Sequence, residues 1–417
     1  GDAEDTRPAI WIHAVSVGET MAAQPLVKAL RERFPNHRLI VSTTTATGQQ
    51  VARARLEADG FCYFPFDWRF SVRRALNRVR PQAVVLMESE LWPNFLRACR
   101  KRNISVIVAN GRISDRSFTR SQKLGFLIGS LQRKMIENVT HFAMQSEADA
   151  ERILALGASE SQVSVSGNIK YDIGTNTADP SSEQVAERLN SLFGLMQSPL
   201  IIAGSTSDGE EEIILSAFEK LKKDTDTENV RLLIAPRHPE RFDAVARILE
   251  SSRLRYVRRS TIAQQTEVSA STPVSNLGTA EVVIQDKACL KSDVILLDSI
   301  GELAALYRYA SVVFIGGSLM PKGGHNILEP ALYAKPIIVG PHMENFREIT
   351  EEFLRRDGVI QLGTGKDEEF AEALFNVFNE LLNDEERART LGQNAQHAVR
   401  SNQGATAHTV EVIANSL

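Results

Sequence analysis

Cysteine is scarce in this chain of 417 residues: Cys62, Cys99 and Cys289 each stand alone in an apolar pattern, with no CxxC spacing. That excludes a disulfide framework and leaves no cysteine-based zinc or redox pair, which fits a reducing cytoplasm. No apolar run approaches the length needed to span a bilayer. No GxGxxG follows the first apolar strand, which disfavours a dehydrogenase. Aromatic residues make up only 6% and do not interleave with the basic ones, and the chain is acidic overall, so nucleic acid is not an expected partner. The single DxD triplet, Asp224 to Asp226, sits in the charged stretch KKDTDTEN and reads as solvated charge rather than a metal site. No fixed-period repeat is visible.

What is present is ordinary for a folded protein: 43% hydrophobic and 24% charged residues. The length exceeds the usual size of one core, so two domains are expected. The net charge of -4 conceals an asymmetry, because residues 1–172 hold 24 Lys and Arg against 17 Asp and Glu. That half carries +7 and the remainder -11. A basic half suits an anionic partner, although solvated helix faces would give the same count.

Apolar strands alternate with amphipathic helices throughout. AIWIHAV, RLIVST, FCYFPF, AVVLME, SVIVAN, HFAMQ and VSVSG read as strands in the first half, and LIIAG, RLLIAP, VILLD, SVVFIGG and PIIVG in the second. This is the pattern of parallel sheets covered by helices, so an α/β fold of two doubly wound domains is expected. The expected division is 1–175, a linker at 176–198, a second domain at 199–405, and a C-terminal helix at 406–417 crossing back to the first. Residues 260–279, rich in Ser, Thr, Gln and Ala, read as a mobile loop. The chain begins at Gly1, with its first strand near residue 9, so removal of an N-terminal segment is expected.

Candidate chemistry gathers at strand ends. After SVVFIGG, Lys322, Gly323 and Gly324 permit close backbone approach to a ligand. A helix opening at His325 and Asn326 would then offer amides to phosphate, with Glu329 on the same face as His325 and positioned for ribose hydroxyls. Ser205 and Thr206 end LIIAG, and Arg237 and His238 end RLLIAP, so both pairs are expected at the same edge. In the first half, Gly18 turns the chain after HAV and Glu19 opens a helix, either as a catalytic carboxylate or as an ordinary first-turn acid. Glu88 and Glu90 follow AVVLM, where alternation would send both the same way and where capping is an equal alternative. Arg112, Arg116 and Arg120 are four apart and form one basic stripe if helical; with Arg69, Arg73 and Arg74 they offer a surface to an anionic headgroup.

HAVSVGE, MESELWPN, GNIKYD, GSTSDGEE, PRHPER and GGHNILEP, in this order across nearly the whole chain, resemble the bacterial 3-deoxy-D-manno-octulosonic acid (Kdo) transferases of lipopolysaccharide synthesis. The resemblance implies a GT-B glycosyltransferase, with two Rossmann-like domains facing each other across a cleft. It implies inverting transfer of Kdo from CMP-Kdo to the lipid A precursor, without metal or cofactor. It also implies Glu19 as general base and Glu88 as the second active-site acid. Ser205, Arg237, His238, Gly324, His325, Asn326 and Glu329 would line the CMP site, and Lys170 would lie near the cleft on the acceptor side with Arg112, Arg116 and Arg120. The implied location is the cytoplasmic face of the inner membrane, reached peripherally through basic and exposed apolar side chains. The alternatives are a nucleotide-sugar epimerase of the same architecture and a noncatalytic nucleotide-sugar binder.

Overall fold

A computed structural model describes residues 5–88, 90–114, 117–119, 129, 132–172, 180–224, 227–262 and 291–417. The chain divides into two units, residues 1–173 with 402–417, and residues 174–401.

The first unit is built on seven strands: β1 (Ala9–His13), β2 (Arg38–Thr43), β3 (Gly60–Tyr63), β4 (Pro81–Met87), β5 (Ser105–Gly111), β6 (His141–Met144) and β7 (Val163–Val165). They pair in the order β3-β2-β1-β4-β5-β6-β7, all parallel. Every residue of β1 is buried, as expected of a strand with helices on both faces. The chain winds outward from β1 to β3 and then returns to place β4 on the other side of β1. The β1/β4 boundary is therefore the topological switch point, where open α/β sheets bind ligands.

The helix Val17–Arg33 follows β1. Ser16 caps it by accepting from the Glu19 amide, and Ala22, Ala23, Leu26, Val27 and Leu30 recur at helical spacing on its buried face. Truncating a side chain such as Leu26 would cost about 2–5 kcal/mol. GNIKYD docks the end of the chain. Both oxygens of Asp172 accept amides, from Gly404 at 2.9 Å and Thr406 at 2.6 Å, at the start of the helix Ala405–Ala414. Ala405, Val410 and Ile413 then enter the core beside Ile10, Ile12 and Leu26.

The second unit repeats the design with β8 (Leu200–Thr206), β9 (Arg231–Pro236), β10 (Tyr256–Arg258), β11 (Val294–Leu296), β12 (Val312–Ile315), β13 (Ile337–Val339) and β14 (Ile360–Gln361). Their order is β10-β11-β9-β8-β12-β13-β14, again all parallel, with the switch point between β8 and β12. The short strands β10 and β14 were not apparent in the sequence. The stretch expected to be a linker carries the helix Pro180–Phe193. Ala186, Leu189 and Phe193, at helical spacing, are buried, and the Phe193 carbonyl accepts a hydrogen bond from buried Arg231 at 2.5 Å, so this helix belongs to the second unit. Most of the expected loop at 260–279, two residues of the DxD triplet (Thr225 and Asp226) and Cys289 lie outside the described residues. Among the described residues, no helix is long and apolar enough to cross a membrane.

Candidate functional site

At the switch point of the first sheet, Glu19 is held on three sides. Its Oε2 accepts from the Val15 amide at 2.7 Å, its Oε1 accepts from the Ser16 hydroxyl at 3.0 Å, and its own amide returns to Ser16 Oγ at 3.2 Å. Glu19 as a whole residue is 8% exposed. Burial pushes its pKa above the ordinary value; the Val15 amide opposes the rise, while the negative charges of Glu88 and Glu90 add to it. A buried carboxylate that favours its proton, yet is aligned by two donors, is suited to accept a proton from a substrate.

Glu88 and Glu90 are not placed by strand alternation. β4 stops at Met87, and Glu88 adopts left-handed backbone, φ 57°, with its amide donating to Ala109 at 2.9 Å. The strand is broken there because that backbone cannot continue a pleat. Glu88 is half-buried and Glu90 exposed, and both act electrostatically on Glu19.

His13, the first residue of HAVSVGE, was not singled out by sequence reasoning. It is 1% exposed, stacks on Phe64 with ring centroids 3.8 Å apart, and has its pKa pushed down to about 4 by burial. Its Nδ1 lies 3.1 Å from both the carbonyl and the hydroxyl of Ser42. Of the expected basic stripe, Arg112 is exposed just past β5, while Arg116 and Arg120 lie outside the described residues. Lys170 is half-buried on the 3-10 turn Ile169–Asp172.

The second unit gathers Arg237, His238, His325 and Glu329 at the ends of β9 and β12. Arg237 and His238 are exposed, and Arg237 acts electrostatically on both His325 and Glu329. Burial, then the charges of Arg237 and His238, hold His325 down at about 4, so its ring is neutral near neutral pH. Burial raises Glu329, against the pull of the Asn326 amide and Arg237.

The helix expected to open at His325 begins instead at Leu328 and runs only to Leu332. Its late start has a local cause. Gly323 and Gly324 both adopt left-handed backbone, and the Asn326 side chain accepts from the Leu328 amide at 3.0 Å while donating to Glu329 at 3.2 Å. His325 therefore lies in the loop ahead of the helix and does not share a helix face with Glu329; both feel the charge of Arg237. The glycines are required by packing as well as by backbone. A methyl group on Gly317 would meet the His325 ring at 2.8 Å, and one on Gly324 would meet the Met343 sulfur at 2.3 Å. Ser205 is half-buried, also in left-handed backbone. Thr206 turns inward: it is fully buried, and its hydroxyl donates to Glu211 at 2.9 Å, which in turn receives Arg241 at 2.9 Å. Lys322 is exposed beside these loops.

Glu210 is the residue of this region that sequence reasoning undervalued as a helix opener. It is fully buried, and its two oxygens accept four backbone amides: Ser207 at 2.8 Å, Gly317 at 2.7 Å, Ser318 at 2.9 Å and Leu319 at 2.9 Å. Burial pushes its pKa up and the amides pull it back; a proton on either oxygen would have to displace an N–H. Glu210 thus pins the loop after β12 across the switch point.

Residues 1–173 match the family described as 3-deoxy-D-manno-octulosonic-acid transferase (kdotransferase). The 3-deoxy-D-manno-octulosonic acid transferase of Haemophilus influenzae is 34% identical over 407 residues, with 97% of this chain and 86% of that one covered. The protein of the same name from Bordetella pertussis is 29% identical over 415 residues, again covering 97% and 86%. Among solved structures, the UDP-GlcNAc 2-epimerase of Neisseria meningitidis bound to UDP-GlcNAc matches at 13% identity and a TM-score of 0.58, over 98% of this chain and 100% of that one. That last likeness is one of fold, and it agrees with the expected α/β architecture of Rossmann-like units.

Proposed function

The chain belongs to the 3-deoxy-D-manno-octulosonic acid (Kdo) transferase family, and from that premise we propose that it transfers Kdo from CMP-Kdo to a sugar hydroxyl of a lipid A precursor with inversion at the anomeric carbon. In this reading Glu19 takes the hydroxyl proton as the acceptor oxygen forms its bond to the anomeric carbon. The bond from that carbon to the cytidylate phosphate breaks, and its electron pair leaves with CMP. Arg237 balances the charge of the departing phosphate, Gly323 and Gly324 shape the loop beside it by making room for Asn345 and Met343, and Glu329 takes the ribose hydroxyls. Glu88 stands beside the base as the second acid.

The observation that carries this reading is the buried, doubly anchored Glu19 carboxylate at the switch point of the first sheet. The decisive experiment is to incubate the protein with CMP-Kdo and lipid A precursor and weigh the lipid by mass spectrometry. A lipid heavier by one or more Kdo residues is expected; unaltered lipid with consumed or isomerised donor would refute the transfer. Arg237→Ala should weaken CMP binding by about 10–100-fold in calorimetry, the usual worth of a charge-assisted contact to phosphate. Unchanged affinity would remove Arg237 from the site.

A peripheral contact with the inner membrane at its cytoplasmic face completes the reading. Phe66, Trp68 and Phe70 are 75%, 72% and 77% exposed, with the first two rings stacked at 5.6 Å, and Arg69, Arg73 and Arg74 are exposed beside them. Aromatic side chains that enter the headgroup region, next to cations that attract anionic lipid, suit a membrane surface. Replacing all three aromatics by Ser should cut binding to anionic vesicles by about tenfold or more in a flotation assay. Equal flotation of the variant would place the contact elsewhere.

A further inference from the structure

Among the described residues, five buried side-chain nitrogen or oxygen atoms have no hydrogen-bond partner, and three of them lie toward the C-terminal edge of the first sheet: His13 Nε2 at the end of β1, Trp92 Nε1 in the segment after β4 and Asn110 Nδ2 at the end of β5. Buried polar groups are almost always paired, so such a cluster needs an explanation. Asn110 is the most constrained of the three. It is fully buried in left-handed backbone, φ 57°, a conformation that Asn tolerates better than most residues. Its Oδ1 accepts from the Ile169 amide at 2.9 Å, which fixes which end of the side-chain amide is oxygen and leaves Nδ2 as the bare donor. Its carbonyl accepts from Gln145 at 3.0 Å, so the backbone is held too. Met87 pairs with Ala109 between β4 and β5, and the Glu88 amide reaches the Ala109 carbonyl, so Asn110 and Glu88 end adjacent strands, both in left-handed backbone.

We propose that Asn110 is a specificity-determining residue of the first unit: its unpaired Nδ2 donates to an oxygen of the acceptor sugar beside the carboxylates Glu19 and Glu88. The inference rests on the acceptor-side reading of this edge given above. The Ile169 amide fixes the orientation of the donor before the substrate arrives, and an unpaired buried N–H is satisfied only when the correct oxygen reaches it.

Asn110→Asp and Asn110→Gly test it. The Asp side chain keeps an oxygen for the Ile169 amide and replaces the donor by an acceptor, which regains an O–H donor only when protonated. The Gly variant fits the left-handed backbone without strain and removes both ends of the side chain, the Nδ2 donor and the Oδ1 that holds the Ile169 amide, so the Asp variant, which keeps an oxygen there, separates the two. Acceptor KM in Asn110→Gly should rise about tenfold while CMP affinity, measured by calorimetry, stays within about twofold. The ratio of Asn110→Asp to unmodified activity should climb as the pH falls, because burial raises a carboxyl's pKa and the protonated form regains an O–H donor. Acceptor KM unchanged in Asn110→Gly, or a ratio flat across pH, overturns the proposal; the Gly result decides if the Asp chain does not fold. If the unmodified protein makes no glycolipid, the reading of function fails and this inference with it. If it makes product and the variants behave as it does, only this inference fails.

Discussion

Glu19→Gln is expected to lower transfer from CMP-Kdo by about 10²–10⁴-fold, the usual contribution of a general base, while leaving CMP affinity unchanged. Gln keeps one oxygen for the Val15 amide that Glu19 binds at 2.7 Å, so the helix start should survive and the loss should fall on chemistry. The pH dependence carries a sign. The base must be unprotonated, so kcat/KM should rise with pH through the pKa of Glu19, which burial and two neighbouring carboxylates place above the ordinary 4.5. Stability runs the other way. A carboxyl whose folded pKa is raised stabilises the fold most below its unfolded value, and that contribution is lost as the pH rises through the folded value. The unmodified protein should therefore lose a little stability over the window in which it gains activity, and Glu19→Gln should flatten both curves. Wild-type turnover in the variant would remove Glu19 from the mechanism.

The second large effect is expected at Glu210, which touches no reacting atom in this account. Glu210→Ala leaves the amides of Ser207, Gly317, Ser318 and Leu319 buried without their acceptor. Unpaired buried donors cost about 1–3 kcal/mol each, discounted here because the loop can relax and admit water, so a total of about 3–5 kcal/mol is reasonable. For a unit of this size that corresponds to a fall in Tm of about 6–20 °C. The loop that carries Gly317 also seats the His325 ring, so CMP binding should weaken together with stability. A melting temperature within about 2 °C of the unmodified protein would show that the four hydrogen bonds contribute little.

These two residues also mark where the sequence could be read and where it could not. The placement of Glu19 was legible because its setting is local: a buried strand and a helix start capped at Ser16 lie within a few residues, although Gly18, expected as the turn, is already inside the helix. The parallel sheets followed from alternating apolar runs and helical stripes in the same way, whereas the strand order within each sheet came only from the structure. Glu210 looked like any first-turn acid, since the amides that define its role lie 107 to 109 residues further along the chain. Thr206 was misjudged for the same reason: its partner Glu211 is close in sequence, but the inward direction of its hydroxyl depends on how β8 packs. The start of the helix at Leu328 turned on the Asn326 side chain competing for the Leu328 amide, a choice that spacing rules do not weigh. Left-handed backbone at Glu88, Asn110 and Ser205, none of them glycine, left no signal in the residue types of Glu88 and Ser205 and only a weak one in Asn110.

The central claim is that this protein moves a sugar from cytidylate to a lipid, and release of CMP from CMP-Kdo with and without lipid A precursor tests it most directly. Rapid release that depends on the lipid and saturates with it is the expected result. Release at the same rate without lipid, or none with it, would contradict the account.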